Sequence, residues 1–317
     1  MGKATRAAFG DALLRIGASH SKVVVLDADL ASSVQTKKFA DAYPNRFFQL
    51  GIAEGNMVGV AAGMALSGFT PFIASFACFL TGRFEQIRMS VGYNNANVRL
   101  VGTHCGVGIG EDGYSQMGLE DIAAMRSLPN MVVIQPGDAI EAERATEFLA
   151  DYRGPAYLRL TRQNLDDVNR ADYRFEFGKA VELREGNDLV IVASGGVVGG
   201  SLEAAEKLAA EGLSVGVLNL HTIKPIDTEA LERAAARCGR ILTVEDHSVV
   251  GGVGGAVVEA LSETRDVAIR IHGVHSYGES GTGVELYAKH ALDAAGIARI
   301  ARDFIRSDSR PASAASA

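Results

Sequence analysis

The sequence predicts an α/β protein with two open sheet domains, and three observations lead to this fold class. The chain has 317 residues, which at roughly 150 residues per domain suffices for two hydrophobic cores. Hydrophobic residues make up 47% of the chain and charged residues 22%, a globular composition that excludes disorder, collagen and coiled coil as whole-chain structures. Short β-branched runs alternate with helical patterns throughout, which is typical of parallel strands covered by helices.

The first series of elements occupies the N-terminal half of the chain. Five apolar, β-branched runs predict buried strands at residues 22–27, 71–75, 97–102, 131–136 and 156–160. The stretches between them predict helices at residues 4–18, 54–66, 79–91 and 138–150. A short strand beginning at Phe47 precedes the second of these helices. Continuous apolar strands separated by helices indicate one parallel sheet that is buried on both faces.

A second series of elements follows a polar stretch at residues 162–176, which is rich in Asp, Asn and Arg. Its predicted strands are residues 188–195, 214–220, 240–246 and 267–273, again separated by helical patterns. The predicted organisation is a first domain at 1–165, a linker at 166–185, a second domain at 186–310 and a flexible tail at 311–317. The tail consists of small and polar residues, which do not build a core.

Charge and cysteine content limit the classes of function. With 31 basic and 38 acidic residues the net charge is −7. We therefore expect neither nucleic acid nor a membrane as a partner, and an anionic ligand must meet a local cluster of cations. The three cysteines form no CxxC pair, so neither a disulfide framework nor a thiolate zinc site is expected. No apolar run reaches the roughly 18 residues of a membrane span, and we expect a soluble, cytoplasmic protein.

The loops after the strands are the places to search for a ligand site, because ligands of open α/β sheets bind outside the carboxyl ends of the strands. The loop that follows residues 97–102 reads THCGVGIGEDGYSQMGLED and contains His104, Glu111, Asp112 and Gln116. Its glycines alone are compatible with a surface turn, whereas the density of polar groups favours a site. Its spacing matches neither a Walker loop nor a dinucleotide fingerprint.

Four motifs occur in order along the chain: GIAEGNM, PFIASFACFLTGRFEQIRMS, THCGVGIGEDGYSQMGLEDIAAMRSLPN and LRLTRQN. Together they resemble the C-terminal half of transketolase, and the resemblance continues through HTIKPID and VEDHSVVGGVGGAV over nearly the whole chain. It implies a thiamine-diphosphate-binding domain of the pyrimidine type, followed by a transketolase C-terminal domain. It also implies reversible transfer of a two-carbon ketol unit from a ketose phosphate to an aldose phosphate. Whether this serves the pentose phosphate route or a dedicated pentose pathway stays open.

The same resemblance implies thiamine diphosphate as the cofactor and a second polypeptide as the partner. A full-length transketolase holds Mg²⁺ (or Ca²⁺) and the cofactor's phosphates through a GDG…N motif in an N-terminal domain. This chain has GEDG but no such motif in such a context. It resembles the second subunit of a split transketolase, active only with a separate subunit that carries the metal, so no metal site is expected here. An α₂β₂ hetero-oligomer is expected by analogy.

On the cofactor side, Glu54 in GIAEGNM matches the family glutamate that hydrogen-bonds the N1′ atom of the aminopyrimidine ring. Taken alone, Glu54 is a helix-start carboxylate favoured by the helix dipole. The catalytic role needs a carboxyl group that holds and shares a proton near neutral pH. Phe76 matches the aromatic residue that stacks on the aminopyrimidine, and Phe79 lines the same pocket. Asp29 in LDADLASS matches a family carboxylate close to the cofactor.

On the substrate side, the resemblance implies a cluster that binds an anion. Four residues match positions that grip the substrate phosphate: Arg6, Ser33, His104 and Arg162. Guanidinium forks and a hydroxyl donor suit phosphate oxygens. Asp112 matches a residue that contacts a sugar hydroxyl and helps to select its stereochemistry. Gln116 stands where many family members have His, although animal-type transketolases also carry Gln there, so a proton relay through this position is in doubt.

Two other kinds of function are alternatives to the transketolase subunit. The first is the β subunit of another thiamine-diphosphate enzyme. A 2-oxoacid dehydrogenase is not expected to carry both THCGVGIGEDG and TRQN, and a 1-deoxyxylulose 5-phosphate synthase is expected to have Asp-Arg near positions 103–104. The second is a catalytically silent partner subunit. Against it stand five retained site residues: Glu54, Phe76, His104, Asp112 and Arg162.

Overall fold

Two β-sheets form the centre of the molecule, which the computed structural model describes for residues 2–264 and 266–307. Within these described residues the first sheet has seven strands and the second has five. In chain order the strands are β1 (Val23–Asp27), β2 (Phe47–Gln49), β3 (Thr70–Phe76), β4 (Arg99–Thr103), β5 (Val132–Ile134), β6 (Ala156–Arg159), β7 (Val181–Arg184), β8 (Leu189–Ser194), β9 (Val215–Asn219), β10 (Thr222–Lys224), β11 (Arg240–Ser248) and β12 (Ala268–Val274). The predicted α/β class with two open sheets is confirmed.

Helices connect the strands and cover the sheets. In chain order they are α1 (Thr5–Ser19), α2 (Ala31–Val34), α3 (Lys37–Ala42), α4 (Glu54–Leu66), α5 (Ala77–Thr81), α6 (Phe84–Gln86), α7 (Asp121–Arg126), α8 (Ala139–Asp151), α9 (Val198–Ala210), α10 (Thr228–Cys238), α11 (Val253–Ala260), α12 (Gly283–Lys289) and α13 (Ala294–Ser307). Side-chain oxygens of Asp138, Asp227 and Thr282 cap α8, α10 and α12, which satisfies backbone N–H groups at the helix starts. None of the helices in the described residues has the length and hydropathy needed to cross a bilayer.

The first sheet has the strand order β10-β5-β6-β4-β3-β1-β2. All its neighbouring strands are parallel except β10, which pairs antiparallel with β5. Strand β10 comes from the second half of the chain, and its Thr222 lies opposite Ile134. The second half therefore completes the first sheet, and the two halves are joined by a β-ladder as well as by packing.

The second sheet has the order β12-β11-β8-β9-β7, with β7 antiparallel to β9. Strand β7 lies inside the segment 166–185 that the composition predicts to be a linker, so the second sheet begins before residue 186. Its sequence, VELR, is only partly buried because an edge strand has one open side. Such a strand lacks the continuous apolar run that marks the interior strands.

The alternation of side chains along each strand divides the core of the first sheet into two layers. Val23 and Val25 of β1 pack in one layer with residues of α1 and α8. Val24 and Leu26 pack in the other with residues of α4, and this layer continues into side chains of the second sheet. On the other face of the second sheet, α9 and α13 cover a separate cluster. Burial on both faces explains why the interior strands are mostly apolar.

Two further predictions differ from the structure or fall outside it. The single helix predicted at residues 79–91 is wrong: the segment forms α5, α6 and a π-helical turn at Ile87–Tyr93. Its buried residues lie in α5 and in the π-helical turn and none lies in α6, so the segment has no single helical periodicity. The tail predicted at 311–317 lies outside the described residues.

Candidate active site

One edge of the first sheet brings together predicted site residues from five separate loops. Neighbouring parallel strands present their carboxyl ends at the same edge. Following the sheet order β2-β1-β3-β4-β6, the residues at or just beyond the strand ends are Glu54, Asp29, Phe76, His104 and Arg162. The topology thus aligns the predicted cofactor residues with the predicted anion-binding residues.

An aromatic cluster marks the middle of this edge. Phe76 is the last residue of β3 and is 8% exposed. Its ring stacks on Phe79, with centroids 5.3 Å apart, and on the imidazole of His104 at 3.7 Å. Because Phe76 lies opposite Thr103 in the β3–β4 ladder, the histidine that follows Thr103 is held against the ring. The cluster thus joins two apolar rings to the polar imidazole of His104.

His104 is held in one neutral tautomer by its neighbours. An Nδ1–H tautomer satisfies these neighbours, because Nδ1 then donates to Thr103 Oγ1 at 2.8 Å while Thr103 Oγ1 donates to the carbonyl oxygen of Ser75 at 3.3 Å. Nε2 is then an acceptor, and Arg6 Nη1 lies 3.4 Å from it. Burial, followed by the nearby charges of Arg6 and Arg162, lowers the pKa of His104 to about 3. The imidazole is therefore neutral at physiological pH.

We expect an NMR titration of the His104 imidazole to show a midpoint near its shifted pKa of about 3. The unfolded chain protonates this group at about 6.5 and the folded chain does not, so its contribution lowers the free energy of unfolding as the pH falls below about 6.5. The variant His104→Asn assigns the resonance. A midpoint near neutrality would contradict the buried neutral state.

Arg6 lies at the start of α1, which is tied to the end of β6. Thr5 Oγ1 accepts a hydrogen bond from the Thr161 backbone N–H at 2.8 Å. The guanidinium of Arg6 donates to the carbonyl oxygen of Ser33 and faces His104. Burial and the nearby charge of Arg162 both lower the pKa of Arg6. Among the described residues no carboxylate lies within 4.0 Å of this guanidinium, so none of them neutralises its charge.

Arg162 is the second cation of the group. Its Nη1 donates to the carbonyl oxygen of Ile109 at 2.6 Å and lies 3.4 Å from Glu111 Oε2 and 3.8 Å from Asp112 Oδ2. The predicted sugar-binding carboxylate and one predicted phosphate ligand are therefore neighbours. Both Arg6 and Arg162 line a cavity of about 730 Å³ between the two halves of the chain, a volume typical of small-molecule sites.

Glu54 begins α4 and is 5% exposed. None of the described residues donates a hydrogen bond to its carboxylate, and the Arg83 guanidinium lies 4.0 Å from Oε2. A buried carboxylate that lacks a donor can accept one from a ligand. Arg83 was not identified from the sequence, since nothing in its spacing from residue 54 signals the contact.

Asp29 and Gln116 are less closely connected to the other predicted site residues. Asp29 is exposed, has φ +64°, and its backbone N–H donates to Gln49 Oε1 at 2.7 Å. Gln116 is partly buried in a 3₁₀ turn at Tyr114–Gln116. In the described part of the chain, neither side chain forms a hydrogen bond or an ion pair with another predicted site residue.

Comparison with protein-family models divides the chain into two regions. Residues 1–167 match the family described as "Transketolase, pyrimidine binding domain", and residues 178–297 match "Transketolase, C-terminal domain". The second match begins before β7, in agreement with the extent of the second sheet. The resemblance found in the sequence motifs is confirmed.

Similar proteins include separate transketolase halves. A protein of Methanocaldococcus jannaschii named as a transketolase C-terminal section is 41% identical over 302 residues, which cover 94% of this chain and 95% of the relative. The 6-deoxy-6-sulfo-D-fructose transketolase subunit of a Clostridium species is 39% identical over 300 residues, covering 94% and 93%.

A solved structure titled "Split gene transketolase, inactive beta4 tetramer" matches with a TM-score of 0.89 and 41% identity. The match covers 96% of this chain and 99% of the solved chain. Both domain models and the whole-length relatives agree in family and in extent. The chain belongs to the transketolase family and comprises its pyrimidine-binding domain and its C-terminal domain.

Proposed function

We propose that this chain is the C-terminal subunit of a split transketolase. With a second subunit that carries the pyrophosphate-binding domain and Mg²⁺, it transfers a two-carbon ketol unit between a ketose phosphate and an aldose phosphate. The observation that carries this proposal is the shared sheet edge, where the buried carboxylate of Glu54, the ring of Phe76 and the guanidinium of Arg162 follow neighbouring strands. Arg6, on α1, joins them beside His104. The family match supplies the class of chemistry.

The cofactor side of the edge fits thiamine diphosphate. Glu54 presents a buried carboxylate that no described residue hydrogen-bonds, and Phe76 lies in an aromatic cluster with Phe79 at the same edge of the sheet. When bound, thiamine diphosphate supplies the carbon centre that accepts the ketol unit. Glu54 would hold or share a proton at its carboxylate oxygen, while Phe76 and Phe79 would bind the aromatic ring by stacking and exclude water from it. Asp29 is proposed to lie near the same ring.

The part of this edge next to β4 and β6 fits the anionic end of a sugar phosphate. The guanidinium groups of Arg6 and Arg162 are close enough for their charges to affect each other, and a dianion relieves this repulsion. His104, as a neutral imidazole, adds hydrogen bonding without a titrating charge near pH 7. Ser33 is proposed to add its hydroxyl group. A doubly charged phosphate therefore suits this cluster better than a neutral sugar.

Sugar selection is proposed to depend on the glycine-rich loop, which comprises residues 103–121. Asp112 lies 3.8 Å from Arg162, so a substrate whose phosphate reaches the arginine brings its hydroxyl groups near this carboxylate. Gln116 would hydrogen-bond the sugar without transferring a proton. One relative is named for a sulfosugar, and a sulfonate could occupy the same cations. Assays should therefore include ketose phosphates and 6-deoxy-6-sulfofructose.

The proposed assembly is an α₂β₂ complex. The solved relative is titled an inactive β₄ tetramer, which supports the idea that C-terminal halves alone are not sufficient for turnover. The test is to measure native mass, thiamine diphosphate and Mg²⁺ binding, and ketol transfer, on the chain alone and on material co-purified from its own host. Activity and tight cofactor binding only in a hetero-oligomer would support the proposal. Full activity of the chain alone would refute it.

Replacement of Arg162 by Ala should raise the KM for a ketose phosphate about 10- to 100-fold, because a charge-assisted pair to the phosphate is lost. The KM for the same ketose without its phosphate should stay unchanged. The measurement is steady-state kinetics with both donors in the assembled enzyme. Arg144→Ala is the control, since Arg144 pairs with Glu147 on the exposed face of α8. An equal effect on both donors would contradict a phosphate role.

A further inference from the structure

A carboxylate of the C-terminal domain reaches into the glycine-rich loop of the pyrimidine-binding domain. Asp246, near the end of β11, is 2% exposed. Its Oδ1 accepts the backbone N–H of Val107 at 2.8 Å, and its Oδ2 lies 3.5 Å from the N–H of Gly108. At Gly106, where φ is +77°, a Cβ would lie 2.0 Å from Asp246 Oδ2, so a side chain there would clash with the carboxylate. The loop is therefore shaped around this carboxylate.

A tyrosine extends the contact from Asp246 to the segment that holds Arg162. The hydroxyl group of Tyr287, on α12, donates to Asp246 Oδ2 at 2.8 Å. The same hydroxyl oxygen accepts a hydrogen bond from Gln163 Nε2 at 2.9 Å. Gln163 directly follows Arg162 in the chain. Asp246 is thus connected directly to the backbone of Val107 and, through Tyr287, to the side chain of Gln163.

These contacts close into a ring. Arg162 Nη1 donates to the carbonyl oxygen of Ile109, and Ile109 ends the same 3₁₀ turn that Asp246 holds at Val107. Both partners of the Arg162–Ile109 contact are therefore tied to one buried carboxylate. The glycines of this loop give the turn little stiffness of its own, so external hydrogen bonds decide where it lies.

We propose that Asp246 and Tyr287 are positioning residues, which hold Arg162 and the loop that carries Asp112 in the orientation that binds the anionic end of the substrate. The inference rests on the proposed function. It gives the C-terminal domain a part in substrate affinity, since both residues belong to that domain. Neither residue is expected to touch the reacting atoms.

If Tyr287 served only to dock the two domains, its variant would not be expected to change substrate affinity. The two domains also meet through Arg159, whose Nη2 donates to the backbone carbonyl of Asp246 at 3.0 Å, and this contact does not need either side chain under test. Loss of the Tyr287 hydroxyl therefore leaves β11 attached to the first domain. Under the positioning role it frees Gln163 and one oxygen of Asp246, so the effect should appear in substrate affinity.

The experiment compares Tyr287→Phe with wild type in the assembled enzyme, using xylulose 5-phosphate and xylulose as donors. Loss of one buried hydrogen bond in the ring is expected to raise the KM for the phosphorylated donor about 3- to 10-fold. The KM for xylulose and kcat for both donors should change by less than about twofold. An unchanged KM for xylulose 5-phosphate, or equal increases for both donors, would overturn the proposal.

Tyr173→Phe is the matched control. The Tyr173 hydroxyl donates to Glu141 Oε1 at 2.7 Å, so this variant also removes a tyrosine–carboxylate hydrogen bond, but away from Arg162. If the loss acted only through general stability, both variants should shift the KM alike. A KM increase confined to Tyr287→Phe supports positioning, whereas equal increases in the two variants would refute it.

Amide hydrogen exchange separates this proposal from the proposed function. On the chain itself, Tyr287→Phe should speed exchange of the Val107 and Gly108 amides about 3- to 10-fold, because their acceptor loses one of its own restraints. The Tyr173→Phe variant should leave these amides unchanged. An inactive wild-type complex would refute the ketol-transfer function, but the exchange rates of the Val107 and Gly108 amides would still test whether Tyr287 positions the loop. Unchanged exchange of these amides in Tyr287→Phe would overturn the positioning proposal.

Discussion

Glu54→Gln is expected to lower kcat about 10²- to 10⁴-fold, the range by which a positioned acid or base contributes to a reaction. The amide has nearly the shape of the carboxyl group and still accepts a hydrogen bond, but it cannot take up and return a proton. Since Glu54 is buried and begins α4, the near-isosteric change should leave the helix and the assembly intact. The measurement is kcat of the reconstituted complex with saturating cofactor, alongside its native mass.

Glu85→Gln serves as the matched control for Glu54→Gln. Glu85 lies on α6 and pairs with Arg88 at 3.0 Å on an exposed surface, so the same chemical change there should leave kcat near that of wild type. Near-normal turnover of Glu54→Gln, with cofactor bound and the complex assembled, would remove Glu54 as the group that shares the proton. Loss of assembly would be detected by the native mass.

Asp121→Ala is expected to reduce the free energy of unfolding by about 3–5 kcal/mol, because it leaves a buried guanidinium without its counter-ion. Asp121 and Arg159 are 0% and 1% exposed. Asp121 Oδ2 accepts Arg159 Nε at 2.8 Å and the Tyr157 hydroxyl at 2.6 Å. Burial opposes the charge of Asp121, but Arg159 and His247 hold the pKa of Asp121 below its usual value. The pair is therefore ionised.

Urea denaturation of the chain alone measures this loss, provided that the slope of the transition stays constant. Asp41→Ala is the control, because Asp41 pairs with Lys37 on an exposed surface, where an ion pair contributes little. The double variant Asp121→Ala/Arg159→Met removes the uncompensated charge and should recover part of the lost stability, less the two hydrogen bonds that Arg159 Nη2 donates. A single-variant loss below about 1 kcal/mol would contradict the buried-pair argument.

The same pair connects stability with the site. Arg159 Nη2 donates to the carbonyl oxygens of Gly118 and Asp246, one in the glycine-rich loop region and one in the second sheet. Destabilising Arg159 should therefore loosen the contact between the domains as well as the core. Separate measurements of unfolding and of KM are needed to distinguish this effect from that of Tyr287→Phe.

Interior elements were predictable because their patterns are local. The helix predicted at 54–66 has the bounds of α4, and each predicted strand of the first series overlaps an observed strand. Their apolar runs depend on burial on both faces, which the sequence records directly. The edge strands β7 and β10 carry no such run. Segment 79–91 fails for another reason, since its π-helical turn has a period that helical templates do not test.

The candidate site, like the fold, could be predicted from the sequence only in part. The ends of parallel strands could be aligned from sequence, and the motifs gave candidate roles to Glu54, Phe76, His104 and Arg162. The tautomer of His104 could not be derived, because it depends on Thr103 donating its proton to Ser75, in a neighbouring strand. The roles proposed for Arg6 and Ser33 remain predictions, although the structure joins the two residues by a hydrogen bond.

By itself, the sequence determined the fold class, the transketolase family and the loops in which chemistry is expected, since these follow from periodicity and from contiguous motifs. Only the tertiary structure decided which groups meet. Val107 and Asp246 are 139 positions apart, a separation far longer than any of the sequence motifs. Their contact exists because β11 of the second sheet ends against a loop of the first domain. Hydrogen bonds and ion pairs act over a few ångströms in space, so their partners are set by packing and not by spacing along the chain.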